Sequence, residues 1–79
     1  MDRKTYIKLY KDANKISKTI YSCKTIHQLR TTENLCENFR KYYSFFIVPE
    51  TYNYTQFWEL IEYFKITIHD KKQELLDNG

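Results

Sequence analysis

Glycine, proline and alanine each occur once in this 79-residue sequence, and the single glycine is its last residue. So small a supply of turn formers argues against a hairpin-rich β fold, whose tight connections depend on residues that accept positive φ or preset a bend. It also leaves no glycine-rich loop to cradle a phosphate. Cysteine occurs twice, as Cys23 and Cys36, enough for one bridge at most, and nothing in the spacing brings their Cα atoms together. Free intracellular thiols are the expectation. With His27 and His69 these cysteines match no zinc-binding spacing, so neither a metal nor a cofactor is expected. Long apolar runs are missing as well. The longest, Tyr42 to Val48, is far too short to span a bilayer. The N-terminal stretch MDRKTYIKLYKDANKISK is charged throughout, unlike a signal peptide. A cytoplasmic protein with no membrane association is expected.

What the sequence has in quantity is Lys, Ile, Asn, Tyr, Phe and Met, which supply 37 of the 79 residues. These are the amino acids with AT-rich codons, a bias that points to an AT-rich genome such as that of a phage, another mobile element or a low-GC host. The length implies one domain, residues 1–79, with a small core and a marginal stability that a partner chain would reinforce. Charge is graded along the chain. Residues 1–24 hold seven basic and two acidic groups, whereas residues 50–79 hold three basic and six acidic ones.

Helical periodicity accounts for most apolar positions. Tyr6, Leu9, Tyr10, Ala13, Ile16 and Ile20 recur at spacings of three and four, predicting a helix over about 2–21. Thr25 and Gln28 stand in the capping-box relation, predicting a second helix over about 26–46 with a stripe of Leu29, Thr32, Cys36, Phe39, Tyr43 and Phe46. Pro49 disfavours a helical Val48 and so ends it. Asn53 and Gln56 form a second, weaker capping pair, and a third helix over about 54–76 would carry Tyr54, Phe57, Ile61, Phe64, Ile68 and Leu75 on one face. The expected fold is all-α, a small three-helix bundle. The alternative is an α+β arrangement with a short hairpin near residues 43–48 and 64–69, where β-branched and aromatic residues cluster.

Three constellations bear on function. The histidines, cysteines and acids form no nucleophile–base pattern: three residues and a capping turn separate Cys23 from His27, so no catalytic residue is assigned and no enzymatic activity is expected. On the first helix Lys4, Lys8, Lys11, Lys15 and Lys18 fall within about 80° of one another, opposite the apolar stripe. No carboxylate interleaves them, so like charges repel at (i, i+3) and (i, i+4) spacing. An acidic partner would relieve this, either a protein surface or nucleic-acid phosphate. The third constellation is an apolar excess. Eleven of the fourteen aromatics lie between Phe39 and Phe64, and Tyr42, Phe45, Trp58, Tyr63 and Ile66 fall outside or beside the stripes. Tyrosine and tryptophan at a surface are the anchors that protein interfaces use.

The expected function is therefore that of a small non-enzymatic protein-binding module. Tyr42, Phe45, Tyr52, Tyr54 and Trp58 would be its anchors, and the lysine row would steer an acidic partner. In a phage or mobile element such a module would inhibit or redirect a host protein, for example a defence component. Nucleic-acid binding through the lysine face is one alternative. Its weakness is that the lysines and the aromatics lie in different parts of the sequence. A structural role in a virion or complex, including homodimerisation through the same aromatics, is the other.

Overall fold

The structure is a computed structural model. It describes residues 2–47, Pro49 and residues 51–78, except the side chains of Tyr52 and Asn78. Three helices, α1 (Arg3–Ser22), α2 (Ile26–Ser44) and α3 (Tyr52–Asn78), make up the described chain, with no strand among the described residues. The protein is a small all-α three-helix bundle. The hairpin alternative fails because residues 64–69 lie in the middle of α3 and residues 43–44 close α2. The alternation there serves instead to bury Phe64 and Thr67 on one helical face.

Each helix starts where a side chain can satisfy its first free N–H groups. The Asp2 carboxylate accepts from the Thr5 N–H at 2.7 Å. Thr25 Oγ1 accepts from the Gln28 N–H at 3.1 Å, while Gln28 Oε1 reaches back to the Lys24 N–H at 2.8 Å, one residue before the cap. Replacing Thr25 with alanine should cost about 1 kcal/mol, which lowers the thermal midpoint by roughly 4 to 8 °C, readable as a circular-dichroism melt. The third start differs from expectation. Thr51 Oγ1, not Asn53, accepts from the Tyr54 N–H at 3.2 Å, and the Thr51 carbonyl accepts from the Thr55 N–H at 3.3 Å. A hydroxyl two residues beyond Pro49 can cap at once, so α3 begins two residues early and Asn53 falls in its first turn.

The end of α2 also departs from the expected 46. The Phe46 N–H bonds the Tyr43 carbonyl at 3.0 Å and the Ile47 N–H bonds that of Ser44 at 3.4 Å. These are i to i+3 bonds, which turn the chain through more than 100° per residue. The overwinding has a consequence for the core. Phe46 swings out to 40 % exposure and Ile47, outside every expected stripe, is buried in its place. Val48 lies outside the described residues.

Every pair of helices packs together. The core runs through Leu9, Ala13, Ile16 and Ile20 of α1, Leu29, Thr32, Phe39 and Tyr43 of α2, and Phe57, Ile61 and Phe64 of α3. Phe39 is the hub of the aromatic part, with ring centroids 4.8 Å from Tyr43, 6.0 Å from Phe57 and 5.7 Å from Phe64. At the opposite end Cys23 is buried as a free thiol against Thr32 Oγ1, 3.3 Å away. Cys36 is free too. The three-residue link from α1 to α2 is thus held by its own thiol, and Lys71 of α3 closes that end by donating to the Tyr21 carbonyl at 3.1 Å. The molecule measures 43 × 20 × 15 Å, its long axis matching a 27-residue helix at about 1.5 Å per residue.

Candidate functional site

The core leaves a groove with an apolar floor between α1 and α2 that is open to solvent. Between α1 and α2 the floor is formed by Ile16, Phe39 and Tyr43, the α1 side by Lys8, Asp12 and Lys15, and the α2 side by Leu35, Asn38 and Tyr42. The space encloses about 570 Å³. Leu35 and Tyr42 are each nearly half exposed. Lys8 Nζ lies 5.3 Å from the centre of the Tyr42 ring, within cation–π range. The lysine row and the aromatic excess, far apart in the sequence, therefore meet across this groove. Part of the signal was present: antiparallel pairing of two helices joined by a short link sets the start of one beside the end of the other, although it does not fix which lysine meets which ring.

Among the described residues the only carboxylate lining this groove is that of Asp12, and it accepts a hydrogen bond from the core. Tyr43 donates its hydroxyl to Asp12 Oδ2 at 2.5 Å. Burial and the hydrogen bond to this anion both raise the Tyr43 pKa well above the ordinary tyrosine value of 10.0. A group whose folded pKa is raised stabilises the fold fully below its unfolded pKa and loses that contribution as pH rises above it. Stability should accordingly fall from about pH 10 upward. Tyr43→Phe should cost about 1.5 kcal/mol at neutral pH and flatten the alkaline limb. Urea titrations at pH 7, 9 and 11 would show a parallel limb if Tyr43 is not responsible.

The five lysines Lys4, Lys8, Lys11, Lys15 and Lys18 are all exposed. The ion pairs among the described residues join Arg40 to Glu37, Lys65 to Glu62 and Lys71 to Glu74, and none involves the row. The proposed anchors fall into two groups. Tyr42 and Phe45 sit together at the end of α2: Phe45 follows Tyr42 by three residues, has helical φ and ψ of −66° and −24°, and is 88 % exposed. Tyr54 and Trp58 lie on α3 in an edge contact of 6.1 Å. No ring contact joins the two groups among the described residues. Trp58 is only partly available, because it packs against the core with its ring 5.3 Å from Phe57 and its indole N–H buried without a partner. The Tyr52 side chain lies outside the described residues. Tyr54 and Trp58 continue along the outer face of α3 with Tyr63, Ile66, Glu59 and Glu62.

A second groove, of about 360 Å³, runs between α2 and α3. Glu33 and Glu37 line it, along with Arg40, Lys65, His69 and the half-buried Cys36. Burial first, then the Glu33 charge, pushes the Cys36 thiol up to about 11, so at neutral pH it is protonated and a poor nucleophile. Among the described residues no three His, Cys, Asp or Glu side chains converge as metal ligands would, and no helix is long and apolar enough to cross a membrane. No family model matches this chain, and no curated protein or solved structure matches it either.

Proposed function

We propose that this chain is a non-enzymatic protein-binding module that grips its partner with Phe45 and Tyr42 and draws it in with the lysines of α1. The observation that carries this reading is Phe45, a phenylalanine 88 % exposed at the end of a helix whose other face packs into the core through Leu29, Thr32, Phe39 and Tyr43. Exposing such a ring has no benefit for the free protein, and burying it against a partner recovers about 25 cal/mol for each Å² removed from water. Tyr42 beside it supplies a ring with a polar tip, suited to an interface rim. The codon bias supports an accessory protein of a phage or mobile element. Its partner would then be a host protein in the cytoplasm, such as a defence component, that it inhibits or redirects. Affinity capture from host lysate with wild type and Phe45→Ala as paired baits tests the reading. A partner should be retained by the first and lost by the second, and equal retention would sink it.

Nucleic acid is favoured by one observation, the Lys8 ammonium over the Tyr42 ring, since single-strand binders combine cations with stacking rings. Five lysine–phosphate contacts on a single strand would make affinity fall roughly a hundredfold between 50 and 200 mM salt. Fluorescence anisotropy with a labelled oligonucleotide reads this directly. Self-association through the same rings would appear as a dimer mass in light scattering.

A further inference from the structure

We infer that the groove between α1 and α2 seats a single amphipathic helix of the partner, one whose apolar stripe is flanked by Asp and Glu. The inference rests on the protein-binding reading and specifies what is bound. Its first support is shape. Leu35, Asn38 and Tyr42 follow one another at spacings of three and four, so they form one edge of α2 about 10 Å long, with Phe45 just past the end of the helix. Lys8 and Lys15 face this edge from α1 across the apolar floor of Ile16 and Phe39. A trough with an apolar floor, about two turns long, matches a helix presenting residues at i, i+3 or i+4, and i+7. An extended peptide has no sheet edge to join, because the described residues contain no strand.

Charge supplies the second support, and it sets the occupant's polar flank. Lys8 and Lys15 of the lysine row line the α1 side, and among the described residues no ion pair involves the row. Asp12 is held by Tyr43. Glu33 and Glu37 line the other groove, against α3, and Glu59 and Glu62 lie on the outer face of α3. Among the described residues Asp12 is the one acid that lines the groove, set between Lys8 and Lys15, so an incoming helix with acids along its flank meets a net positive α1 edge there. A phosphate backbone fits less well, because it offers nothing apolar to cover Leu35 and the Ile16 and Phe39 floor.

The test uses the full chain and a panel of fluorescein-labelled synthetic helical peptides with Leu, Ile, Phe or Met at the stripe positions. Each has glutamates on its flanks and a twin with lysines there instead. At least one acid-flanked peptide should bind, tenfold or more tighter than its twin. The Lys8→Glu/Lys15→Glu protein should reverse that preference. These new glutamates would stand three or four residues from Lys4, Lys11 and Lys18, so the helix remains well formed, and circular dichroism checks it. Leu35→Lys, a surface change, should also weaken the acid-flanked peptide by tenfold or more. Amide and methyl NMR shifts should move at Leu35, Lys8 and Tyr42. Equal affinity for the twins, no binding by any peptide at 1 mM, or shifts confined to α3 would each overturn the inference. If Phe45→Ala still loses the captured partner in those cases, protein binding stands and the groove assignment alone is wrong. Displacement of every peptide by an oligonucleotide that binds more tightly would remove both.

Discussion

Phe39→Ala should unfold much of the population near body temperature. The ring is 5 % exposed and touches the rings of Tyr43, Phe57 and Phe64, so its removal opens a cavity bordered by α2 and α3 at once. Truncating a buried phenylalanine costs about 3 to 5 kcal/mol. A 79-residue chain has a total stability of roughly 4 to 12 kcal/mol, and the small core leaves little to relax into the gap. The thermal midpoint should therefore drop by at least about 12 °C. Phe39→Leu, which keeps most of the volume, should recover more than half of the loss. A melt of Phe39→Ala displaced by less than about 4 °C would mean that the three-ring contact is not what joins α2 to α3.

Helix identity was legible in the sequence wherever period and cap agreed. Leu9, Ala13, Ile16 and Ile20, spaced by three and four, are buried, and Thr25 with Gln28 caps α2 as the hydroxyl–amide spacing predicts. Legibility failed around Pro49, where the result depends on competition between alternatives within a few residues of each other. Thr51 and Asn53 can both cap, and Phe46 and Ile47 can both fill the same space. Backbone overwinding after Ser44 decides the second contest, and no residue type announces it. The candidate surface was half legible. That Phe45 has no place in the core follows from its position on the helical wheel, and its exposure agrees. That Lys8 reaches Tyr42 does not follow from either helix alone, because it depends on how far α1 and α2 slide past one another. The apolar character of Trp58 was visible, but not that it packs against the core beside Phe57.

Phe45→Ala should separate binding from folding as cleanly as Phe39→Ala joins them. At 88 % exposure the ring makes no packed contact to lose, so stability should change by no more than about 0.5 kcal/mol in either direction. Affinity for the partner should fall at least tenfold, the scale of a buried aromatic anchor at the centre of an interface. Tyr42→Ala should weaken binding as well. It also removes the cation–π contact with Lys8 and the ring contacts with Tyr43 and Phe46, so a small loss of stability accompanies it. Two residues three positions apart thus give different ratios of lost affinity to lost stability, measurable by isothermal titration and urea denaturation on the same samples. A Phe45→Ala protein that melted like Phe39→Ala would show that the ring is held by its own chain, leaving the lysine row and the exposed Leu35 and Tyr42 to argue for a partner. A stable Phe45→Ala protein with undiminished affinity would remove Phe45 as an anchor and leave the contact to the Leu35 and Tyr42 groove or to the outer face of α3, where Tyr54, Tyr63 and Ile66 are exposed.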